Sequence, residues 1–252
     1  NQVLPEGEGA LASGLQGKGK MRHPEQIVAP LISYFNPGLP LKGKRVLITT
    51  GPTYEAIDPV RFIGNHASGK MGFALAEVAA SLGAEVQLIT GPTHEKINHP
   101  SVAVQAVVSA NEMFLAVKTE YKRSDIAIAA AAVADFTPQS VAPQKLKKGK
   151  SNLSLSLIPT EDILAYMGKN KKEHRLIGFA LETENELENA KIKLKQKNLD
   201  GIVLNSLQDP GAGFSVSTNK ITFIHSDHSI QTFPLQSKLE CAHRIFEQIL
   251  SL

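Results

Sequence analysis

The chain has 252 residues, 42% of them apolar and 20% charged, which is enough to bury a core in one large or two small α/β domains and excludes a disordered chain. A net charge of +3, a pI near 8.8 and no basic stretch interleaved with aromatic residues argue against a nucleic-acid partner. Cys241 is the single cysteine and makes no internal disulfide, and no apolar run has the length of a membrane span or a signal-peptide core, so a soluble cytoplasmic protein is expected.

Residues 1–20 are rich in Gly and Lys without a hydrophobic period, residues 23–35 fit one helix, and "NPGLPLKGK" reads as a linker, which puts a domain boundary near residue 41. "RVLITT" (45–50) is a strand punctuated by Gly51-Pro52, a long loop follows, and "KMGFALAEVAASLGA" (70–84) is a helix stopped by Gly83. The runs "EVQLIT", "SVAVQAV", "DIAIAAAAVADF", "RLIGFALE" and "DGIVLN" are further apolar strands. Helical stretches alternate with them: "ANEMFLAVKTEYKR", "EDILAYMGKN" and "ENELENAKIKLKQKN". That alternation predicts a Rossmann-like, doubly wound, mostly parallel sheet. "ITFIHSDHSIQTFPL" predicts an antiparallel edge hairpin, and "SKLECAHRIFEQIL" a closing amphipathic helix that keeps Cys241 in the core.

Ligands of such sheets sit beyond the carboxyl ends of the strands. There the sequence "GNHASGKM" (64–71) nearly fits a P-loop, but Gly64 lies fourteen residues past Thr50, and Met71 stands where Ser or Thr would ligate Mg²⁺. What remains is Ser68, Gly69 and Lys70 at a helix start, which fits an anion turn as well as an ordinary cap by Ser68. The alanines of "AAAVADF", ending at Asp135, leave backbone open to a flat ring or a ribose, and fit equally a tight packing surface. "PQKLKKGK" carries four lysines in a segment without period, either a flap over phosphates or a solvated loop. Lys193 and Lys197 are spaced i, i+4 on one helix face, while Leu187, Ala190 and Leu194 mark another.

In order and spacing, "GPTYEAIDPVRFIGNHASGKMGFALA", "AAAVADF", "KLKK", "IGFALET" and "NLDGIVLN" resemble bacterial phosphopantothenoylcysteine synthetase. This is commonly the C-terminal half of a bifunctional decarboxylase/synthetase of coenzyme A biosynthesis. The resemblance implies ligation of 4′-phosphopantothenate to L-cysteine with CTP and Mg²⁺, through an acyl-cytidylate, by a homodimer whose flap closes over the partner's site. It assigns Asn65 and Arg61 to the phosphopantothenate and acyl-cytidylate site. Ala129, Ala130, Ala131, Asp135, Lys145, Pro159, Thr160, Glu161, Phe179, Lys193 and Lys197 are assigned to CTP, with Asn65, Lys145 and Arg61 acting in catalysis; the magnesium ligands stay unassigned. Tyr54, Ala67 and the turn "PTEDIL" depart from the usual family pattern, where Arg, Ser and a form closer to "NPDIL" are common.

The resemblance extends to the N-terminus. The segment "GALASGLQGKGKMRHPEQIV" is similar to the tail of the flavin-dependent decarboxylase half, with Ser13 where many members carry a catalytic cysteine. Residues 1–40 are thus expected to be a remnant of an upstream half to which the full-length protein is fused, and residues 41–252 the synthetase. Two other functions stay open at this stage. A nicotinamide-dependent reductase lacks its glycine fingerprint after the first strand, and a non-catalytic nucleotide-binding regulatory subunit is opposed by the joint presence of Asn65, Asp135 and Lys145.

Overall fold

In a computed structural model of the chain, residues 3–10, 14–35, 38–148, 152–182, 184–206 and 216–252 are described. They form two compact units, Asn1–Pro40 and Leu41–Leu252. The first unit holds an antiparallel ribbon, Gly7–Ala10 with Gln16–Lys20, and the helix Pro24–Phe35. The Gly- and Lys-rich segment without period is therefore partly a ribbon, made by backbone pairing that requires no apolar face. Ser13 lies outside the described residues.

The second unit is built on one eight-stranded sheet. Its strands are β1 (Arg45–Thr50), β2 (Glu85–Thr90), β3 (Val102–Ala106), β4 (Ile126–Ala129), β5 (Arg175–Glu182), β6 (Gly201–Ser206), β7 (Ile221–His225) and β8 (Ile230–Thr232). They lie in the order β3-β2-β1-β4-β5-β6-β7-β8, parallel through β6, with β7 and β8 antiparallel at the edge. The doubly wound sheet and its edge hairpin are as the alternation of apolar runs predicts. The order reverses between β1 and β4, and a crevice opens at the carboxyl ends of these two strands.

Helices cover both faces. Successive residues of a strand point to opposite sides, so Val46 and Ile48 pack under α1 (Lys70–Ser81) and α5 (Lys238–Ser251). Leu47 and Ala127 pack on the other face with α2 (Ala110–Glu120), α3 (Ile163–Lys169) and α4 (Glu186–Gln196). Burial on both faces explains why β1 and β4 read as continuous apolar runs. Cys241 is buried in α5, as expected of a core residue, and burial pushes its thiol pKa up.

Two predicted segments differ. The run 125–136 belongs to the main sheet only over Ile126–Ala129, because the backbone beyond leaves the sheet and crosses the loop after β1, and Phe136 starts a separate ribbon. There the N–H of Ala132 donates to the Gly51 carbonyl at 2.9 Å, and the N–H of Thr53 to the Ala132 carbonyl at 3.2 Å. The long loop after β1 is itself structured as a ribbon, Tyr54–Ala56 with Phe62–Gly64.

Candidate functional site: two joined clefts at the strand ends

The turn 68–70, the candidate anion site, is built by two threonines. The Thr50 hydroxyl, at the end of β1, donates to the Gly69 carbonyl at 2.9 Å, and the Thr93 hydroxyl donates to the Ser68 carbonyl at 2.7 Å. Gly69, not Ser68, caps α1, with φ of 85° and no side-chain cap, so the alternative of an ordinary Ser68 cap fails. A side chain at Gly69 would be strained in that left-handed conformation. One turn on, a Cβ at Gly72 would lie 2.1 Å from the Thr50 hydroxyl oxygen, so only glycine lets α1 start this close to β1.

Opposite the turn runs the 130–135 segment. Asn65 donates its amide to the carbonyls of Ala132 at 3.0 Å and Val133 at 3.3 Å. The buried Thr53 hydroxyl accepts the N–H of Ala134 at 2.9 Å. Thr160 ties the next turn on, its hydroxyl donating to the Ala134 carbonyl at 2.6 Å and its N–H to the Asp135 carbonyl at 3.0 Å.

Two clefts meet over this segment. A cleft of about 340 Å³ joins Asn65, Ser68, Gly69 and Lys70 to Ala130 and Asp135. A second, of about 530 Å³, is lined by Ala129, Asp135, the turn Pro159 to Glu161, and Lys197. Ala131, Val133, Asp135, Phe179 and Lys193 line both, so the two hollows are neighbours that share a wall. Lys193 donates to the Phe179 carbonyl at 2.9 Å, which aims its ammonium across the boundary, and burial pushes its pKa down. Lys197 is paired with Asp162 at 2.5 Å. Burial raises the Asp162 carboxyl, but Lys197 and the N–H of Ala165 outweigh it and hold the pKa below the ordinary value.

Arg61 and Lys145 are not brought to the clefts. The Arg61 guanidinium pairs with Asp58 and donates to the Leu146 carbonyl at 2.6 Å, while Lys145 sits exposed on the segment that Leu146 anchors. Gly149 and Lys150 lie outside the described residues. Sequence reasoning missed Asp58, Asp162, Asn205, Asn219 and Lys238. Asp162 carried a legible signal, an acid just ahead of a helical period, and it caps α3. "SKLE" marks the start of α5 as a capping box, but nothing in it says that Lys238 lines a cleft.

Fold and site together define an open α/β protein with a crevice at the topological switch point. The profile of the DNA/pantothenate metabolism flavoprotein C-terminal domain family matches residues 41–252, and the chain belongs to that family. It is 46% identical over 249 residues to the coenzyme A biosynthesis bifunctional protein CoaBC of Bacillus subtilis, covering 97% of this chain and 61% of that protein. A protein of an unknown prokaryotic organism, named cysteine/cysteine sulfinic acid decarboxylase, is 51% identical over 257 residues, 100% of this chain and 72% of that protein. The crystal structure of the C-terminal domain of a CoaBC protein superposes with a TM-score of 0.72 at 41% identity, covering 85% of this chain and 97% of that one. These relatives bear out the family resemblance read from the motifs. The chain spans about three fifths of the Bacillus subtilis protein's length. Among the described residues no helix is long and apolar enough to cross a membrane.

Proposed function

We propose that this chain ligates 4′-phosphopantothenate to L-cysteine with CTP, through an acyl-cytidylate, in coenzyme A biosynthesis. The observation that carries the reading is the pair of adjoining clefts. One hollow has the size of a nucleotide site with Lys193 and Lys197 on its wall, and it shares five lining residues with the cleft that holds the turn 68–70. Family membership and the CoaBC relatives support the same reading.

A carboxylate does not react with an amine at neutral pH, because oxide or hydroxide is a poor leaving group. In the proposed sequence a carboxylate oxygen of the acid attacks the α-phosphorus of CTP and pyrophosphate leaves. The amine nitrogen of cysteine then attacks the acyl carbon, loses a proton, and CMP leaves. Both steps gather negative charge, so the protein's work is positioning and charge neutralisation rather than nucleophilic attack by a side chain.

Lys193 and Lys197 face the triphosphate, Lys145 reaches it from the flap, and Asn65 holds the acyl group beside the Ala132 carbonyl. Arg61 assists from the loop after β1. Backbone groups near Ala131 read cytosine, and a purine finds no room. The donor set fits a magnesium ion that arrives with the nucleotide. Among the described residues no three His, Cys, Asp or Glu side chains cluster, and magnesium at nucleotide sites takes one or two carboxylates with substrate phosphates. Asp135, common to both clefts, is the carboxylate that would hold it, and the charge of the magnesium ion would offset that of the phosphates. Residues 1–40 belong, in the same reading, to the end of a fused flavin-dependent decarboxylase half.

The test is pyrophosphate release from CTP and 4′-phosphopantothenate with cysteine omitted. Release is expected with CTP and not with ATP, and Lys145→Gln should suppress it by about 10² to 10³, as for one lost donor to a developing charge. Equal rates with ATP, or a Lys145→Gln variant as fast as the parent, would contradict these assignments. A second reading is favoured by the name of the 51% identical relative. It requires carbon dioxide release from cysteine sulfinic acid without CTP, which the same preparation can be assayed for.

A further inference from the structure

Among the described residues, β3 is the outermost strand on one side of the sheet, and it carries none of the devices that keep such edges from pairing. Residues 101–108 read "SVAVQAVV", without a charge, a proline or a glycine. The strand follows β2 residue for residue, from Val102 beside Val86 to Ala106 beside Thr90, with no bulge. The opposite edge, β8, is only three residues long, which is itself a protection. The side chains of β3 are bare as well: Val104 is 48% exposed, and Ala103, Gln105 and Ala106 are exposed beside it.

The ladder fixes where the backbone groups of this edge point. The N–H of Val86 donates to the Ser101 carbonyl at 2.8 Å, and the N–H of Val107 to the Thr90 carbonyl at 2.9 Å. Alternate residues of a strand serve the same neighbour, so Ser101, Ala103, Gln105 and Val107 are turned to β2, while Val104 and Ala106 turn their N–H and C=O groups outward. The outward run has definite ends. The Val102 N–H donates to the His99 carbonyl at 3.0 Å; at the other end Glu112 takes the Val108 N–H at 2.7 Å, and the Val108 carbonyl accepts the N–H of Tyr54 at 2.8 Å. Alongside lies α2, whose Glu112, Leu115 and Thr119 line a hollow of about 360 Å³ with Gln105 and Ala106. Leu115 is half exposed there. The helix is acidic in its first turn, at Glu112, and mostly basic where it ends, with Lys118, Lys122 and Arg123 around Glu120.

We propose that β3 pairs antiparallel with β3 of a second copy of this chain, across a two-fold axis at Val104. Val104 then exchanges both backbone bonds with the partner's Val104, and the Ala106 N–H donates to the partner's Val102 carbonyl, a bond that the symmetry repeats. Charge selects this partner. The two-fold runs the α2 helices antiparallel, so the Glu112 end of each meets the basic end of the other, whereas a parallel partner would set like charges side by side. Space selects it too. On the α2 face the partner's Gln105 falls opposite Ala103, beside a hollow of about 490 Å³ in which Leu47, Gln87 and Ala103 lie in one row across the sheet. The contact shares no residue with the apolar ribbons around Phe62 and Phe136. A five-residue strand with small side chains buries little apolar area, so the dissociation constant is roughly 0.1 mM or weaker. None of this depends on the ligase reading.

The test is disulfide trapping of the whole chain. Val104→Cys meets its own copy across the axis at about 5.5 Å between Cα atoms, within the reach of a disulfide, whereas two copies of Ala106→Cys lie roughly 14 Å apart. Cys241, the single native cysteine, is buried and does not compete. Under copper-catalysed oxidation of concentrated protein, Val104→Cys should give a covalent dimer on a denaturing gel at least about tenfold faster than Ala106→Cys. Sedimentation supplies the second measurement. The mass of the parent should rise with concentration through roughly the 0.1 mM range, and Val104→Lys, which sets two like charges face to face on the axis, should abolish that rise. Equal trapping at the two positions, a parent of constant mass, or a Val104→Lys variant that associates as the parent does overturns the inference.

Discussion

Asp58 shows how much one buried side chain can organise. At 2% exposure, it accepts the N–H groups of Val60 and Arg61 at 2.8 Å each through one oxygen. Its other oxygen takes the Arg61 guanidinium and, at 3.0 Å, the N–H of Leu146. Arg61 returns to the Leu146 carbonyl, so both sides of that residue are gripped, and the flap docks again where the N–H of Ala142 meets the Ile57 carbonyl. The Arg61 guanidinium is the main reason that the Asp58 carboxyl sits well below the usual range. Burial opposes it, and the N–H groups of Leu146, Val60 and Arg61 add to it. Because the folded pKa is depressed, the grip is fully present above the ordinary carboxylate range and is lost only as pH falls through strongly acid values. Asp58→Asn removes the charge and turns one acceptor into a donor facing Arg61. We expect trypsin to cut at Lys145–Lys148 faster, and CTP-dependent turnover to fall by about tenfold, the effect of one charge-assisted hydrogen bond. Unchanged cleavage and turnover would mean that the grip does not position Lys145.

Helix α4 packs one face on the core and turns the other to a cleft. Ala190 and Leu194 are buried in the core, which turns Lys193 and Lys197 toward the hollow proposed for the nucleotide. Once there, the two lysines part company: one bonds a β5 carbonyl, the other the cap of α3. Burial lowers the Lys193 pKa, so the protonated group opposes folding. That penalty is full below the lowered value, shrinks as pH rises, and vanishes above the ordinary lysine pKa. Lys193→Met should therefore raise the melting temperature at neutral pH by roughly 2 °C, with the gain shrinking toward alkaline pH. The same variant should weaken CTP binding by about ten- to a hundredfold. A melting curve and a CTP titration check both effects, and a variant that loses stability while binding CTP normally would make Lys193 a structural residue.

In the Leu41–Leu252 unit as a whole, two adjoining ribbons leave apolar side chains in water. Phe62, stacked on Tyr54 with ring centroids 3.9 Å apart, is 51% exposed, and Phe136 on the ribbon Phe136–Pro138 with Leu157–Pro159 is 52% exposed. Val60, Leu157 and Ile158 extend this surface. It supports the proposed homodimer, since exposed apolar area of this kind commonly marks an interface. Light scattering should give twice the 27.2 kDa chain mass. Phe62→Asp with Phe136→Asp should give monomers and, if the flap acts on the partner's cleft, should lower pyrophosphate release by about tenfold or more. A monomeric parent with full activity would rule the arrangement out.

The sequence by itself determined the class of fold and pointed to much of the candidate site. A parallel sheet covered on both faces must be written as apolar runs separated by helical periods, and those runs are legible without any contact information. The turn 68–70, Asp135 and the lysine pair of α4 could be singled out because each belongs to a short local pattern, whereas the turn at Pro159 came only with the family resemblance. Tertiary structure decided the rest. Alanines are equally at home in a strand and beyond it, so only the hydrogen bonds to Gly51 and from Thr53 and Asn65 reveal that β4 ends at Ala129. Asp58 grips a residue 88 positions away, and Lys238 reaches its cleft from the far end of the chain. Neither relation leaves a periodic trace, because a charged side chain facing a distant partner looks, in sequence, like one that faces water.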